Sequence, residues 1–321
     1  MSEAISSPVI GRVGYLILDR EHTLNALDLD MCIALSEALE HHQTNPAVEI
    51  ILIRSGNARA FCAGGDMKRI RNLVLSDQLD EVENFFRIEY ALNLAIAESS
   101  KPYVSLIDGV AMGGGLGVSV HGSHVVLSER AVLAMPETRI GLFPDVGGTY
   151  FLPRLAQQAG RWLALTSEAL KGHEAVTVGL ATHAIASSDC DALCAALETG
   201  TGSVDNILAQ YQSAVDETEL RERIDTRQAW FTPPSLEGML DALDTAASDV
   251  ADSLAVKIRS GSPAAMEHTL VLFAANAKAS LATALNREYI AMCSAIRHPD
   301  FAEGVRAILV DKDHAPKWQK T

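Results

Sequence analysis

The sequence predicts an α/β fold that continues into a helical C-terminal region. Short apolar strands, each followed by a loop and a helix, recur about every fifty residues in the first half of the chain. The run 48–54, VEIILIR, is apolar enough to be a strand that is buried on both faces. After Leu155 the composition shifts towards Ala and Leu, which favours helices. We therefore predict an α/β core over residues 1–200 and a helical region over residues 201–321.

The elements can be assigned in order from their periodicity and their boundary residues. Apolar runs predict four strands, at residues 13–18, 48–54, 103–107 and 125–127. Apolar residues at helical spacing predict helices from Asp28 or Asp30 to about His42, over 79–99, through Val118 and Val120, from Ala264 to about Ala295, and over 300–318. Pro263 suits the first turn of one helix, since the first helical residues need no amide donor.

A glycine-rich loop joins a predicted strand to a helix at residues 60–68, AFCAGGDMK. A helix that begins directly after such a loop directs its free backbone N–H groups towards the loop. The segment therefore predicts a site for an anion or an oxyanion. Asp66 is expected to cap the helix, which is a structural role.

Two carboxylates lie eight residues apart in the segment 135–149, MPETRIGLFPDVGGT. Glu137 follows Pro136 and Asp145 follows Pro144, and proline restricts the backbone around it, so we expect an extended turn here. Acids displayed by stiff loops suit acid–base or nucleophilic chemistry. The alternative is that Glu137 caps a turn and Asp145 only solvates a loop.

Composition and charge exclude several classes of function. The chain has 321 residues and a net charge of −15, which argues against nucleic acid or an anionic membrane as the main partner. Its five Cys are odd in number and widely spaced, so buried thiols are a better interpretation than disulfides or a metal site. No long apolar run and no targeting pattern is visible, and we expect a soluble, cytoplasmic protein.

Three ordered motifs together resemble the crotonase, or enoyl-CoA hydratase/isomerase, superfamily. They are AFCAGGD at 60–66, GVAMGGGLG at 109–117 and MPETRIGLFPDVGGT at 135–149. MGGGLGVSVHG, the continuation FLPRL and the tail EGVRAILVDKD are most similar to the 3-hydroxyisobutyryl-CoA hydrolase subfamily. The resemblance runs from about Val13 to Trp318. It implies the crotonase-like spiral of ββα units, with a helical C-terminal region.

The resemblance also implies roles for individual residues. The backbone N–H groups of Gly65 and Gly114 would hold the thioester oxygen, Glu137 would be the main catalytic carboxylate and Asp145 the second. Glu89 matches a residue that lines the substrate pocket, although it could equally be a charge on a helix surface. Lys68 and Arg20 lie where family members meet the CoA nucleotide. His121 is expected to pack between segments rather than to act as a base.

One position departs from the pattern of the family's hydratases. Those enzymes carry a glutamate two residues after the glycine run, where this chain has Gly117. The resemblance therefore implies hydrolysis of a small acyl-CoA thioester, most similar to 3-hydroxyisobutyryl-CoA in valine catabolism. An enoyl-CoA hydratase or isomerase, and a non-catalytic acyl-CoA binding protein, stay as alternatives. The resemblance implies that no metal or redox cofactor is needed, since CoA is part of the substrate. It leaves open whether the protein is a trimer-based homo-oligomer or a monomer.

Overall fold

The computed structural model describes residues 4–57 and 59–319 and contains two β-sheets. Residues 1–3 lie outside the described residues. The strands are β1 Ile5–Ser6, β2 Val9–Ile10, β3 Val13–Leu18, β4 Ile50–Ser55, β5 Ala60–Cys62, β6 Tyr103–Ile107, β7 Val110–Met112, β8 His124–Ser128, β9 Val132–Ala134, β10 Leu170–Lys171 and β11 His183–Ile185.

The larger sheet has seven strands in the order β1-β3-β4-β6-β8-β11, with β2 also paired to β3. Its pairs from β3 to β11 are parallel, while β1 and β2 run antiparallel to β3. In register, Ile51 faces Tyr103 and Leu106 faces Val126. A central parallel sheet needs crossover connections, which confirms the predicted α/β class. The four predicted strands correspond to β3, β4, β6 and β8.

The smaller sheet has four strands in the order β10-β9-β7-β5. β5 and β7 are parallel, whereas β9 and β10 are antiparallel. The register of β5 on β7 shifts between Ala60 and Cys62, and this irregularity lies directly before the first glycine-rich loop.

The helices are numbered in chain order and become more frequent in the second half of the chain. They are α1 Leu29–Thr44, α2 Met67–Leu75, α3 Leu79–Ala97, α4 Gly114–Gly117, α5 Gly148–Phe151, α6 Ala159–Thr166, α7 Glu174–Thr177, α8 Cys190–Thr199, α9 Val204–Leu208, α10 Thr218–Arg227, α11 Leu236–Asp244, α12 Asp249–Ser260, α13 Pro263–Asn276, α14 Leu281–Ala295 and α15 Pro299–Val305.

Contacts group the chain into two units, each assembled from three stretches of sequence. Unit 1 comprises Met1–Gly65, Ile88–Leu133 and Leu170–Glu217, and unit 2 comprises Asp66–Arg87, Ala134–Ala169 and Thr218–Thr321. The predicted division near residue 200 was drawn from composition and stays a prediction, which limited proteolysis would test.

Unit 1 has its core on one face of the larger sheet. Inward-facing side chains of the strands pack against helices α8 and α9, and all of the following are buried: Val13, Tyr15, Leu52, Val104, Val126, Leu193, Leu197 and Leu208. Cys190 and Cys194 lie one helical turn apart in this cluster. Both thiols are free, as predicted, and burial raises the pKa of Cys190 to about 12.

Side-chain caps begin several of the predicted helices. Asp28 accepts a hydrogen bond from the Met31 N–H at the start of α1. Asp66 caps α2 by accepting from the Arg69 N–H at 3.2 Å, which confirms its structural assignment. Ser262 accepts from the Ala265 N–H, and Pro263 occupies the first helical position of α13. Free amide donors of a first turn are satisfied in each case.

The single helix predicted from Ala264 to Ala295 is wrong, because the chain breaks between α13 and α14. Ser280 caps the new helix by accepting from the Thr283 N–H. Arg154 donates to the carbonyls of Asn276 and Ala279 at 3.2 and 2.9 Å, which satisfies acceptors that the break exposes. No Gly or Pro marks this break in the sequence.

Two further helix predictions are too long. The helix expected through Val118 and Val120 is the one-turn α4, which ends at Gly117. The predicted tail helix over 300–318 ends at Val305 and is followed by a π-helical turn at Arg306–Val310. Arg306, the first residue of this turn, pairs with Asp311 and Asp313 at 2.6 and 2.7 Å. These ion pairs hold the segment after the turn close to Arg306.

The helices offer no candidate for a membrane span. Across residues 4–57 and 59–319, none is both long and apolar enough to cross a bilayer.

Candidate active site

The backbone at Gly65 pairs with that of Leu27, which also belongs to unit 1. Strand β5 leads into Gly64, whose φ of +99° is the left-handed conformation that favours glycine. The Leu27 N–H donates to the Gly64 carbonyl at 2.7 Å. Because a trans peptide directs its C=O and N–H to opposite sides, the Gly65 N–H points away from Leu27. The contact with Leu27 therefore does not use that N–H, and its role as an oxyanion donor stays a prediction.

The first residue of α4, Gly114, lies beside Gly65. A Cβ atom at Gly114 would be 3.5 Å from the Gly65 nitrogen, so the space beside Gly114 borders directly on the Gly65 backbone. Gly113 precedes the helix with a φ of +47°. A Cβ at Gly115 would lie 2.5 Å from the Cys62 carbonyl, which explains why the glycine run packs so closely on β5. Unit 1 thus brings the two predicted oxyanion glycines together.

Helix α3 places the Glu89 carboxylate against the same pair of glycines. Its Oε1 would be 2.5 Å from a Cβ at Gly114, and the residue is 2% exposed. Glu89 is therefore buried, and the alternative that it is a charge on a helix surface is wrong. A role for Glu89 in lining the substrate pocket stays a prediction.

Glu137 opens a 3-10 turn, Glu137–Ile140, in unit 2. The residue is 7% exposed, so its carboxylate is shielded from bulk water. Thr138 anchors the turn, since its hydroxyl donates to the Ala164 carbonyl and its own carbonyl accepts the Ser262 N–H. Gly141 ends the turn with a φ of +75°, and a Cβ there would lie 2.4 Å from the backbone of Asp300. The turn is therefore held from several sides.

Asp145 begins a tight backbone turn in the same unit. Its carbonyl accepts the Gly148 N–H at 2.5 Å, and the two central residues, Val146 and Gly147, have φ of +49° and +84°. A β-branched residue at positive φ is strained, so Val146 is an outlier of the kind found at functional sites. Asp145 itself is 6% exposed, so it does not merely solvate a loop.

Glu288 of α14 is a site residue that the sequence analysis missed. Its Oε2 accepts the Gly147 N–H at 2.7 Å, and its Oε1 accepts the Thr149 N–H at 2.9 Å together with the Thr149 hydroxyl. The Asn276 amide donates to the Thr149 oxygen at 2.8 Å. One carboxyl group therefore binds the backbone of the turn that carries Asp145 at two places on its C-terminal side.

The electrostatics of Glu288 follow from its position. Complete burial raises its pKa to about 8, and the nearby charge of Asp145 acts in the same direction. Hydrogen bonds from Thr149 and Gly147 oppose this shift. Glu288 therefore keeps its proton to a higher pH than an exposed glutamate does.

The sequence did contain a signal for Glu288. It lies on α14 between Leu285 and Met292, three and four residues away, and both are buried. A charged residue in an apolar helical stripe is expected to be paired or hydrogen-bonded. The pattern indicates burial but not the partner, which lies 141 residues earlier in the chain.

The two basic residues predicted near CoA have different surroundings. Arg20 donates to the Ala26 carbonyl at 2.9 Å and pairs with Asp28 at 3.3 Å, so part of its guanidinium fixes its own loop. Lys68 is exposed on α2. His121 is half-buried just after α4. Contacts of Arg20 or Lys68 with a nucleotide stay predictions.

The predicted site residues thus form one group within each unit. Gly65, Gly114 and Glu89 meet in unit 1. Glu137 and Asp145 lie on one segment of unit 2. Over the part of the chain that the structure describes, no three His, Cys, Asp or Glu side chains cluster as metal ligands would.

Comparison with known proteins identifies the family. A sequence model described as Enoyl-CoA hydratase/isomerase matches residues 13–321. The chain belongs to this family and has its crotonase fold. The α/β sheets agree with the fold class that the sequence predicted.

Within the family, curated relatives carry one name. The 3-hydroxyisobutyryl-CoA hydrolase, mitochondrial, of Bos taurus is 38% identical over 318 residues, covering 96% of this chain and 82% of that protein. The human protein of the same name matches equally, with 38% identity and the same coverage. A solved carnitinyl-CoA dehydratase from Mycobacterium thermoresistibile has a TM-score of 0.91 and 34% identity, covering 99% of this chain and 92% of that one. An enoyl-CoA hydratase from Rhodobacter sphaeroides 2.4.1 has a TM-score of 0.90 and 33% identity, with 99% and 93% covered.

Proposed function

We propose that the chain is a CoA-thioester hydrolase that converts 3-hydroxyisobutyryl-CoA and water to 3-hydroxyisobutyrate and CoA. The observation that carries this proposal is the position of its acids. Helix α4 has Gly117 where the hydratases of the family carry a glutamate, and both predicted catalytic carboxylates, Glu137 and Asp145, lie on one segment. The names of the relatives at 38% identity support the same substrate.

The proposed chemistry works at the thioester carbonyl carbon. The N–H groups of Gly65 and Gly114 hold the carbonyl oxygen as it gains negative charge. Glu137 either attacks the carbon, expelling the CoA thiolate and leaving a mixed anhydride that water opens, or takes a proton from the attacking water. Asp145 orients the 3-hydroxyl group or the water and assists proton transfer. No metal or redox cofactor takes part, and CoA is part of the substrate.

An enoyl-CoA hydratase is the second candidate, because the two similar solved structures are named a dehydratase and a hydratase. Hydration adds hydroxide at Cβ and a proton at Cα, so two acids must lie along the acyl chain. Gly117 offers no side chain for the first of them. A hydratase would need Asp145 to replace it.

One preparation of protein separates these candidates. Release of free CoA from 3-hydroxyisobutyryl-CoA is followed with a thiol reagent, and hydration of crotonyl-CoA is followed by loss of its absorbance. We expect kcat/KM for hydrolysis to exceed that for hydration by at least about tenfold, a difference of about 1.4 kcal/mol in the barrier. Faster hydration would overturn the proposal, and binding without turnover would indicate a non-catalytic protein.

The setting of this reaction is also a proposal. Turnover of 3-hydroxyisobutyryl-CoA would place the enzyme in valine catabolism. The free thiols support a reducing compartment such as the cytoplasm, while the relatives are named mitochondrial. Cell fractionation would test the compartment. Light scattering of the purified chain would decide between a monomer and a trimer-based oligomer.

A further inference from the structure

The turn that displays Asp145 cannot hold its shape by local interactions alone. Val146 has a φ of +49°, where a β-branched side chain collides with its own backbone, and the residue is 1% exposed. Strain of this kind persists only where the surroundings over-determine the conformation. Something outside the turn must therefore fix it.

The external support is the Glu288 carboxyl group. It accepts hydrogen bonds from Gly147 and Thr149, the residues on either side of Gly148, at 2.7 and 2.9 Å. The Thr149 hydroxyl adds a third bond and is itself held by Asn276. All of these groups are buried, so water does not compete for the bonds.

We infer that Glu288 is a positioning residue for Asp145, acting through the backbone of the turn 145–148 and through the Thr149 hydroxyl. The inference rests on the proposed function, in which Asp145 orients the substrate hydroxyl or the water. Its geometric part, that Glu288 fixes the turn, stands without that function. The two parts can therefore fail separately.

The chemistry of the pair supports this role. Asp145 is the charged group that faces Glu288, while the other contacting groups, Thr149 and Asn276, are uncharged, and Arg287 binds the Asn276 amide oxygen. Burial raises the pKa of Glu288 to about 8, and the proton that it binds below that pH reduces repulsion between the two carboxyl groups. When Glu288 ionises, a second negative charge lies near Asp145, and we expect kcat to change near pH 8.

The main test variant is Glu288→Gln, which keeps the size of the side chain. Glutamine has one acceptor oxygen, and an amide nitrogen cannot accept, so either the Gly147 or the Thr149 bonds are lost. We expect kcat for CoA release to fall about tenfold to a hundredfold, as for a misplaced catalytic group, with KM changed less than kcat. The pH profile of the variant should lack the change near pH 8.

A second pair of variants keeps Glu288 and alters its partner. Thr149→Val removes the hydroxyl and should lower kcat, whereas Thr149→Ser keeps it and should restore activity. Glu267→Gln, at an exposed position on α13, is the matched control for a lost glutamate and should leave kcat unchanged. If Glu288→Gln does not fold, the Thr149 pair decides.

Hydrogen exchange measures the turn without using activity. In Glu288→Gln we expect faster exchange of the Gly147 and Thr149 amides and unchanged exchange in β4 and β6. Wild-type kcat together with wild-type exchange in this variant would overturn the inference. If the wild-type chain releases no CoA, the proposed function fails, and the exchange result alone decides whether Glu288 fixes the turn.

Discussion

The glycine pair of unit 1 and the carboxylate segment of unit 2 are held in opposite ways. The chain neighbours of Gly65 and Gly114, which are Gly64 and Gly115, pack against backbone atoms of β7 and β5 that leave little room for a Cβ. Glu137 and Asp145 instead lie on turns that are fastened by residues more than a hundred positions later, among them Ser262 and Glu288. The first region is fixed by close backbone packing around glycines. The second region is fixed by hydrogen bonds to residues that are distant in sequence.

The difference shows why sequence motifs report unequally on the two regions. A glycine required by close approach is visible in the sequence, because any other residue would clash. A hydrogen bond from a remote carboxyl group leaves no local trace. Substitutions should therefore act by collision in the first region and by loss of support in the second.

The largest effect is expected where the chemistry itself resides, at Glu137. Glu137→Gln keeps the shape of a buried side chain but removes the nucleophile or base, and kcat should fall by at least about a hundredfold. Acyl-CoA binding, followed by calorimetry, should persist. A variant that keeps more than about a tenth of wild-type kcat would exclude both roles. Glu267→Gln again serves as the control.

Next in size is the effect of the backbone donor at Gly114. Gly114→Pro removes the N–H and adds a ring, whereas Gly114→Ala keeps the N–H and adds only the Cβ, 2.5 Å from Oε1 of Glu89. Both should lose activity, and the proline variant should lose about a further hundredfold for the missing donor. Equal kcat/KM in two folded variants, checked by circular dichroism, would show that the amide is no donor.

A smaller effect concerns stability and pH through Glu288. Its folded pKa, raised to about 8, lies above that of an unfolded glutamate, so the folded state binds an extra proton between the two values. The free energy of unfolding should therefore fall as the pH rises towards 8, by at most about 1.4 kcal/mol per pH unit. Urea unfolding of wild type and Glu288→Gln measures this. A similar pH slope in both proteins would contradict it.

The smallest effect on catalysis is expected at Glu168, which lies outside the segment 135–149. It accepts from the Trp162 indole at 2.6 Å and also pairs with Arg227 and Lys257. Burial acts to raise its pKa, but hydrogen bonding to Lys257 and the charge of Arg227 lower it overall. Glu168→Gln should cost about 1–3 kcal/mol of stability with kcat unchanged below the melting temperature. A large loss of kcat at full stability would contradict a purely structural role.

Much of the fold could be predicted because the patterns were local. Tyr103–Ile107 is an apolar run with high β-propensity, and α3 has apolar residues at helical spacing. The predicted ends of both elements therefore agree with the structure to within two residues. The break at Ala277–Ser280 was missed, since it depends on capping by Ser280 and on carbonyls bound by Arg154. The end of the last helix was predicted wrongly, because the sequence does not show that Arg306 forms an ion pair with Asp311 beyond that helix.

The candidate site divides in the same way. The motifs name Gly65, Gly114, Glu137 and Asp145, and the structure groups them within each unit; their catalytic roles stay predictions. Burial of Glu89 could not be read from its helix, where either face was possible. Glu288 lay in an apolar stripe, but its partner depended on the tertiary fold.

The bond from Glu288 to Gly147 also bears on how the protein is made. Synthesis proceeds from the N-terminus, so 141 further residues are added after Gly147 before its partner Glu288 is in the chain. We expect ribosome-bound chains that stop before α14 to have a mobile turn, however well the larger sheet has formed. Asp145 would then reach its final position only after α14 has been translated.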